Sequence, residues 1–278
     1  MTIAEFEKKI LSWYRKNRRD LPWRNTKDPY KILVSEVMLQ QTQVSRVLTK
    51  YPEFLQAFPT LKALAKAPQR KLLKVWSGLG YWRRALFLQR ACAIILKQHK
   101  GIFPKDPKLL ERLPGIGRYT ARALSCFAFD TTGAFLDTNI RRVYIHFFFP
   151  KRKNVSDKQI LQVAQKAPYP VWYGRTKQGI SPREWHYALF DYGALVLKDK
   201  KINRQSKHYA KQKKFAGSFR SFRTKIMRFL LEQPDQKAAL RKLETMLKKS
   251  GSPYSSKKLL SSLQKDGLIK KKGNSYSL

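Results

Sequence analysis

The sequence predicts an all-α fold for most of its 278 residues, and three observations predict it. Apolar residues recur at helical spacing in segment after segment. Pro and Gly fall mainly between those segments, where they mark turns. No stretch keeps the period of two that a half-buried strand requires for long.

Taken in order, Ile3 to Asn17 is the first predicted helix, with Phe6, Ile10, Trp13 and Tyr14 on one face. LPWR, from Leu21 to Arg24, is a loop, and Tyr30 to Val47 has helical apolar spacing. Pro52 to Ala57, Thr60 to Ala65 and Arg70 to Trp76 are short helices. SGLGY, Ser77 to Tyr81, is a turn before a long helix from Trp82 to Gln98. Lys108 to Leu113 follows, then the turn PGIG, then Arg118 to Ala128. Thr138 to His146, Asp157 to Lys166 and Ser181 to Leu197 complete the helical set.

Lys198 to Ser218 is polar, basic and poor in aliphatic residues, which predicts a linker or an extended strap. Beyond it, Phe219 to Gln233, Lys237 to Lys248 and Ser255 to Lys265 are amphipathic. LIKK, a Gly-Asn turn and SYSL read as a small hairpin. Three helices and a hairpin form a winged-helix-like pattern for residues 219–278, with the Lys-rich third helix as its nucleic-acid-facing element; the alternative is a basic helical tail with no defined fold.

Charge narrows the partners. Lys and Arg number 59 against 18 Asp and Glu, a net charge of +41. A compact chain with that self-repulsion calls for a polyanion, and nucleic acid is the default. Residues 198–278 hold 23 of the basic and 5 of the acidic residues, so both parts of the chain are strongly basic. Two cysteines, Cys92 and Cys126, cannot supply four thiolates or a disulfide framework. No apolar run is long enough to span a bilayer. The expectation is an intracellular, cytoplasmic protein without a membrane contact.

Two constellations carry chemistry. Leu113-Pro114-Gly115-Ile116-Gly117 joins two short helices. Its glycines permit a tight turn and leave N–H groups uncovered at the start of a helix, where an anion is favoured. That is a phosphate clamp that reads no base. The second is a carboxylate pair. Glu36 and Asp137 both stand among apolar neighbours, Asp137 just before a helix. On this pattern alone the simpler reading is that Asp137 caps its helix and Glu36 pairs with an arginine. Two carboxylates in unlike environments also suit cleavage of an N-glycosidic bond, one as acid and one as an ionised stabiliser.

The strings LPWR, DPYKILVSEVMLQQTQV, FPTLKALAKAP, WSGLGYWRRA, LPGIGRYTARA, FLDTNIRRV and ALFDYGALV decide between these readings. In their order and spacing, from about Phe6 to Leu197, the chain resembles the adenine DNA glycosylases of the helix-hairpin-helix superfamily. The resemblance implies a two-lobed helix-hairpin-helix glycosylase fold, with lobes of about 24–130 and of 1–23 plus 131–197. It implies that Glu36 is the general acid and Asp137 the carboxylate that stabilises the sugar cation. Tyr119 stands where bifunctional relatives keep a nucleophilic lysine, so no strand cleavage is expected. Asn139 is implied to hold the water or Asp137. Trp23, Arg24 and Leu39 would line the adenine pocket, with Asp191 near it. Gln41 and Tyr81 would wedge into the base stack while the adenine is flipped out.

The chain departs from that family in two ways. Cysteines that hold an iron–sulfur cluster in relatives would fall at Leu197, Arg204, Lys207 and Lys213, and none is cysteine. No metal and no cofactor is therefore expected, although the hairpin could hold a monovalent cation. The segment 219–278 does not resemble the domain with which bacterial relatives recognise 8-oxoguanine, and Tyr169 to Ser181 reads as an insertion. The expected activity is hydrolytic release of adenine opposite 8-oxoguanine or guanine, by a monomer acting on double-stranded DNA. The rivals are a thymine or uracil glycosylase of the same fold, a bifunctional lyase, and a catalytically inert DNA-binding protein.

Overall fold

Helix follows helix from Ile3 to Leu195 in the computed structural model, which describes residues 1–131, 133–166, 181–199, 201–211 and 214–278. The insertion predicted from Tyr169 and the position of Lys213 lie outside the described residues, apart from Ser181. The chain forms two compact units. The first comprises 1–36, 104–112 and 116–211, the second 37–103, 113–115 and 212–278. The lobes expected from the sequence have other bounds, about 24–130 and 1–23 plus 131–197.

The first unit opens with α1, Ile3–Asn17, started by a reciprocal cap between Thr2 and Glu5. Such a box satisfies two N–H groups that a helix start leaves open. The same device, Ser181 with Glu184, starts α11 at Pro182–Leu195, and Ser156 with Gln159 starts α10 at Asp157–Ala164. Between them lie α7, Pro107–Leu110, α8, Arg118–Phe129, and α9, Thr138–Phe148. The core is aromatic. Phe6 meets Phe148 at 5.0 Å and Tyr144 at 5.4 Å between ring centroids, and Trp185 edge-on at 5.8 Å.

Gly193 of α11 allows a close approach to α9. A Cβ there would stand 2.5 Å from the carbonyl oxygen of Asn139 at the start of α9. Helices α9 and α11 thus meet backbone to backbone beside Asp137. Part of the basic strap is fastened to the same pair. The buried Arg142 donates to the carbonyls of Gly193 and Leu197 at 2.8 Å and to Asn203 at 3.3 Å. Two backbone bonds, Val155 N–H to Gln205 and Lys207 N–H to Val155, complete the attachment.

The second unit contains the end of α2 (Pro29–Leu39), α3 (Val44–Ala57), α4 (Leu61–Ala65), α5 (Gln69–Trp76) and α6 (Arg83–Gln98). The sequence predicted one helix from Tyr30 to Val47 and a separate one from Pro52. Instead the chain breaks after Leu39, Gln41 takes a positive φ of 56°, and Pro52 lies inside α3 on its exposed side. Arg84 shows why the break is stable. Its guanidinium takes up the carbonyls of Val37 and Met38 at 2.8 Å, Gln40, and Leu79 and Gly80 near 3 Å. One buried arginine therefore ends α2 and braces the turn before α6.

From Phe219 the second unit continues with α12, Phe219–Glu232, then β1, Lys237–Ala239. Next come α13, Leu240–Lys249, α14, Ser256–Lys265, β2, Lys270–Lys272, and β3, Ser275–Ser277. The strands form an antiparallel sheet in the order β1-β3-β2, with Ala238 and Lys271 both facing Tyr276 in register. The predicted helix from Lys237 thus begins three residues later, after a strand. All three lysines of β2 are exposed, at a sheet edge. A small core of Phe222, Ile226, Leu243, Leu259 and Leu263 holds the segment together.

Candidate active site

Glu36 reaches its position from the last turns of α2, a helix whose neighbours Val34, Val37 and Met38 are fully buried. The carboxyl is only 7% exposed. Burial disfavours its charged form and pushes its pKa up to about 7. A hydrogen bond from Tyr119 opposes that shift, the neighbouring charge of Asp137 adds to it, and Arg24 opposes it weakly.

Asp137 caps α9, so the simple reading of its role is true as far as it goes. Its Oδ1 accepts from the Ile140 N–H at 2.6 Å and its Oδ2 from the Asn139 amide at 2.9 Å. Desolvation still raises its pKa, although these bonds and Arg141 favour the ionised form. Tyr119 is the second residue of α8 and packs edge-on against Phe135 at 5.8 Å. Burial, then the charges of Glu36 and Asp137, hold its hydroxyl protonated well beyond the usual range. Glu36, Tyr119, Asp137 and Asn139 thus form one cluster in the first unit. The simple alternative for Glu36, an arginine pair, is absent from the ion pairs of the described residues.

Asp191 differs from both. It has no exposed surface, and its two oxygens are gripped by Arg24, at 2.8 and 2.9 Å, and by the Arg19 side chain and N–H, at 2.6 and 3.0 Å. Burial works to raise its pKa, but the bonds and charges of Arg24 and Arg19 outweigh it and the net shift is downward. Arg24 lies over the Tyr187 ring at 4.4 Å. Trp23 is buried at 4% exposure. Sequence reasoning passed over Arg19 and Arg183. Arg183 donates to the carbonyls of Phe127, Arg24 and Thr26 within 2.7 Å, which fixes the loop that carries Trp23 and Arg24. Nothing in a string of letters marks an arginine as buried; only its apolar helical context hints at it.

An open cavity of about 1000 Å³ lies in the first unit beside Arg24, Lys27, Arg183 and Tyr187. Neither Glu36, Tyr119 nor Asp137 lines it, so its size says nothing about the carboxylate cluster.

Of the remaining candidates, Leu39, Gln41, Tyr81, Leu113 and Gly115 belong to the second unit, and Ile116 and Gly117 to the first. Leu39 ends α2 half-buried and Gln41 is exposed in the break. Tyr81 has a positive φ of 45° and is flanked by two guanidinium groups, Arg220 at 4.7 Å and Arg84 at 5.4 Å from the ring centre. Arg220 also donates to the Tyr81 hydroxyl. In the hairpin Leu113 and Ile116 are buried. Gly115 has φ +74°, and a Cβ there would stand 2.7 Å from that of Phe87. Gly117 caps α8 without a side chain, which leaves the first N–H groups of that helix uncovered by its cap.

Leu197, Arg204 and Lys207 offer no thiolate, and both cysteines are buried singly elsewhere. Among the described residues no group of three His, Cys, Asp or Glu is placed to hold a metal. The residues present do not fit an iron–sulfur cluster. No helix among the described residues is long and apolar enough to cross a membrane.

With this geometry, the profile of the HhH-GPD superfamily base excision DNA repair proteins matches residues 34–168. The adenine DNA glycosylase of Buchnera aphidicola subsp. Baizongia pistaciae is 37% identical over 201 residues, 70% of this chain and 54% of that protein. That of Mycobacterium tuberculosis is 45% identical over 135 residues, 48% of this chain and 44% of the relative. The structure of a thermostable thymine-DNA glycosylase is similar with a TM-score of 0.61 at 27% identity, over 72% of this chain and 89% of that one. The chain spans about half the length of the curated relatives it matches.

Proposed function

We propose that this chain, which belongs to the HhH-GPD superfamily of base excision DNA repair proteins, is a monofunctional DNA glycosylase that releases adenine opposite 8-oxoguanine or guanine. The observation that carries the reading is the pair of desolvated carboxyls, Glu36 and Asp137, set apart by their partners. Glu36, with a pKa near 7, keeps a transferable proton at neutral pH. It protonates a ring nitrogen of the flipped adenine, and the bond from the sugar to the base breaks with its electron pair on the base. Asp137, oriented by Ile140 and Asn139, faces the cationic sugar with its ionised oxygen while water adds. Tyr119 has no amine and forms no Schiff base, so the product is abasic DNA with an intact strand.

In this reading Trp23 and Arg24 shape the base pocket, and Asp191 acts on it by fixing Arg24. Gln41 and Tyr81, each with positive φ at a turn, enter the stack. The uncovered N–H groups at Gly117 bind a backbone phosphate, and residues 219–278 add affinity through their lysines. The enzyme works without a metal, because polar bonds from Arg142 hold part of the strap where relatives place a cluster. It acts as a monomer.

The test is a panel of duplexes with adenine opposite 8-oxoguanine, guanine, cytosine or thymine, and with thymine or uracil opposite guanine, analysed with and without alkali. Adenine release opposite 8-oxoguanine or guanine, with breaks only after alkali, is expected. Release of thymine instead would favour the other activity of this fold, and breaks without alkali a lyase. Metal analysis of the same preparation should find no stoichiometric iron.

A further inference from the structure

We propose that a cleft under α12 in the second unit reads the base left without a partner when the adenine is turned out of the duplex. The proposal rests on the adenine-glycosylase reading, and it names the reader of the opposite strand that this reading lacks. The cleft has a volume of about 510 Å³. Trp82, Phe87 and Leu268 line its apolar part, and Arg220, Arg223 and Asp266 its charged part. An apolar cleft that also carries charged groups suits a nucleobase, which stacks through its faces and bonds through its rim.

Position argues for the unpaired base rather than any other. Arg220 lies over the ring of Tyr81 at 4.7 Å and donates to its hydroxyl. If Tyr81 enters the stack in place of the adenine, the Arg220 guanidinium arrives beside the base that has lost its partner. A guanidinium makes two parallel bonds to the acceptor pair on the outer edge of guanine, and keeps the one to O6 where 8-oxoguanine carries a hydrogen on N7. Next to it stands a fixed acceptor. Asp266 is held by Arg83 at 3.3 Å and by Arg223, with 12% of its side chain exposed. An acceptor suits the N–H that 8-oxoguanine presents where guanine has a bare nitrogen. Four arginines, Arg83, Arg84, Arg220 and Arg223, against one carboxylate leave the lining positive toward a DNA strand.

The docking of α14 and β2 on the same unit keeps this cleft in place. Gln69 donates to the Gly267 carbonyl at 3.0 Å, and Gly267 lies close to Arg90. The segment 219–278 is thereby joined to the wedge by named contacts, beyond its general positive charge.

The experiment uses the full chain and three duplexes, with a non-hydrolysable 2′-fluoroadenosine opposite 8-oxoguanine, guanine or an abasic site. R220A should weaken binding to the guanine duplex about tenfold more than to the abasic one, the order of one guanidinium–purine pairing, and to the 8-oxoguanine duplex by less, because its N7 carries a hydrogen. R220K, which keeps charge but loses the fork, should lose most of the same preference. A fluorescent guanine analogue opposite the adenine should be quenched by the wild type and less so by R220A. An equal loss on all three duplexes would mean that Arg220 holds phosphate only, and would overturn the proposal, as would no loss. If the wild type released no adenine while the fluorescent base still responded to Arg220, the activity would be wrong and the reading site would stand.

Discussion

Two carboxyl clusters in the first unit lie in similarly dry surroundings and behave in opposite ways. Both are buried, Asp191 with no exposed surface and Glu36 with 7%, yet the pKa of Asp191 falls while that of Glu36 rises to about 7. Burial pushes both upward. What separates them is company. Asp191 has two guanidinium groups on its oxygens, whereas Glu36 has a phenol and a second carboxyl nearby. A buried acid with arginines is part of the framework. One left with neutral and like-charged neighbours destabilises the fold, and is kept where its proton is used.

The largest expected effect tests that contrast. Glu36→Gln should lower adenine release by about 10²–10⁴-fold, the usual contribution of a general acid, while mismatch binding persists. It should also stabilise the protein at high pH. The folded-state pKa lies above the unfolded value of 4.5, so the wild type loses stability as pH rises from about 4.5 to about 7. That loss is on the order of 3 kcal/mol. Thermal denaturation at pH 8 should therefore show E36Q melting above the wild type. An equal or lower melting temperature would mean that Glu36 is a framework acid like Asp191.

Asp191→Asn should do the reverse. It leaves the buried Arg24 and the partly buried Arg19 without a counter-charge, and breaking a buried pair from one side costs about 3–5 kcal/mol. Because the pKa of Asp191 is lowered, its contribution is present above pH 3.8 and fades as pH falls through the depressed value. Urea titrations at neutral pH should show the loss, and the gap to wild type should narrow in acid. A D191N protein as stable as the wild type at pH 7 would remove the contrast.

How much of this was legible in the sequence follows the same division. Helices announced by caps were readable: Thr2 with Glu5 and Ser181 with Glu184 start theirs within a residue of the expected place. The carboxyls Glu36 and Asp137 were visible through the strings that surround them. The break after Leu39 was not, because Arg84 stabilises it from 45 residues beyond. Nor was the grip on Asp191 by Arg19, 172 residues away. Local chemistry is written locally, whereas a buried arginine acts on whatever backbone the fold brings to it. Arg220 on Tyr81 is a third case of the same kind.

Gly193 links the two clusters, since α11 carries it two residues after Asp191. Gly193→Ala would set a methyl 2.5 Å from the Asn139 carbonyl, so α9 or α11 must move. Overpacking of this sort costs about 1–3 kcal/mol. The same shift displaces the cap at Asp137, and misplacement on that scale lowers rates by about 10²-fold. Single-turnover release should fall while DNA affinity changes little. Full activity in G193A would show that the approach of α11 to α9 is not what orients Asp137.

The smallest effect separates the two partners of Glu36. Its bond from Tyr119 favours the ionised carboxylate and so holds the pKa below what burial alone would give. Tyr119→Phe removes that bond and keeps the ring against Phe135. The pKa of Glu36 should rise further, and the acid form should persist to higher pH. A hydrogen bond of this kind is worth about 0.5–1.5 kcal/mol, so rates should change by roughly two- to tenfold. The direction depends on pH. Near pH 6 Glu36 is largely protonated in both proteins, and the variant should show only the loss of positioning. Near pH 8 the variant keeps more of its acid form, which offsets that loss. The ratio of variant to wild-type rate should therefore climb between pH 6 and pH 8. A flat ratio would mean that Tyr119 only fills space. A ratio that falls with pH would mean that the phenol stabilises the acid form instead, and then the pKa of Glu36 is set by burial and Asp137 with the help of the hydroxyl rather than against it.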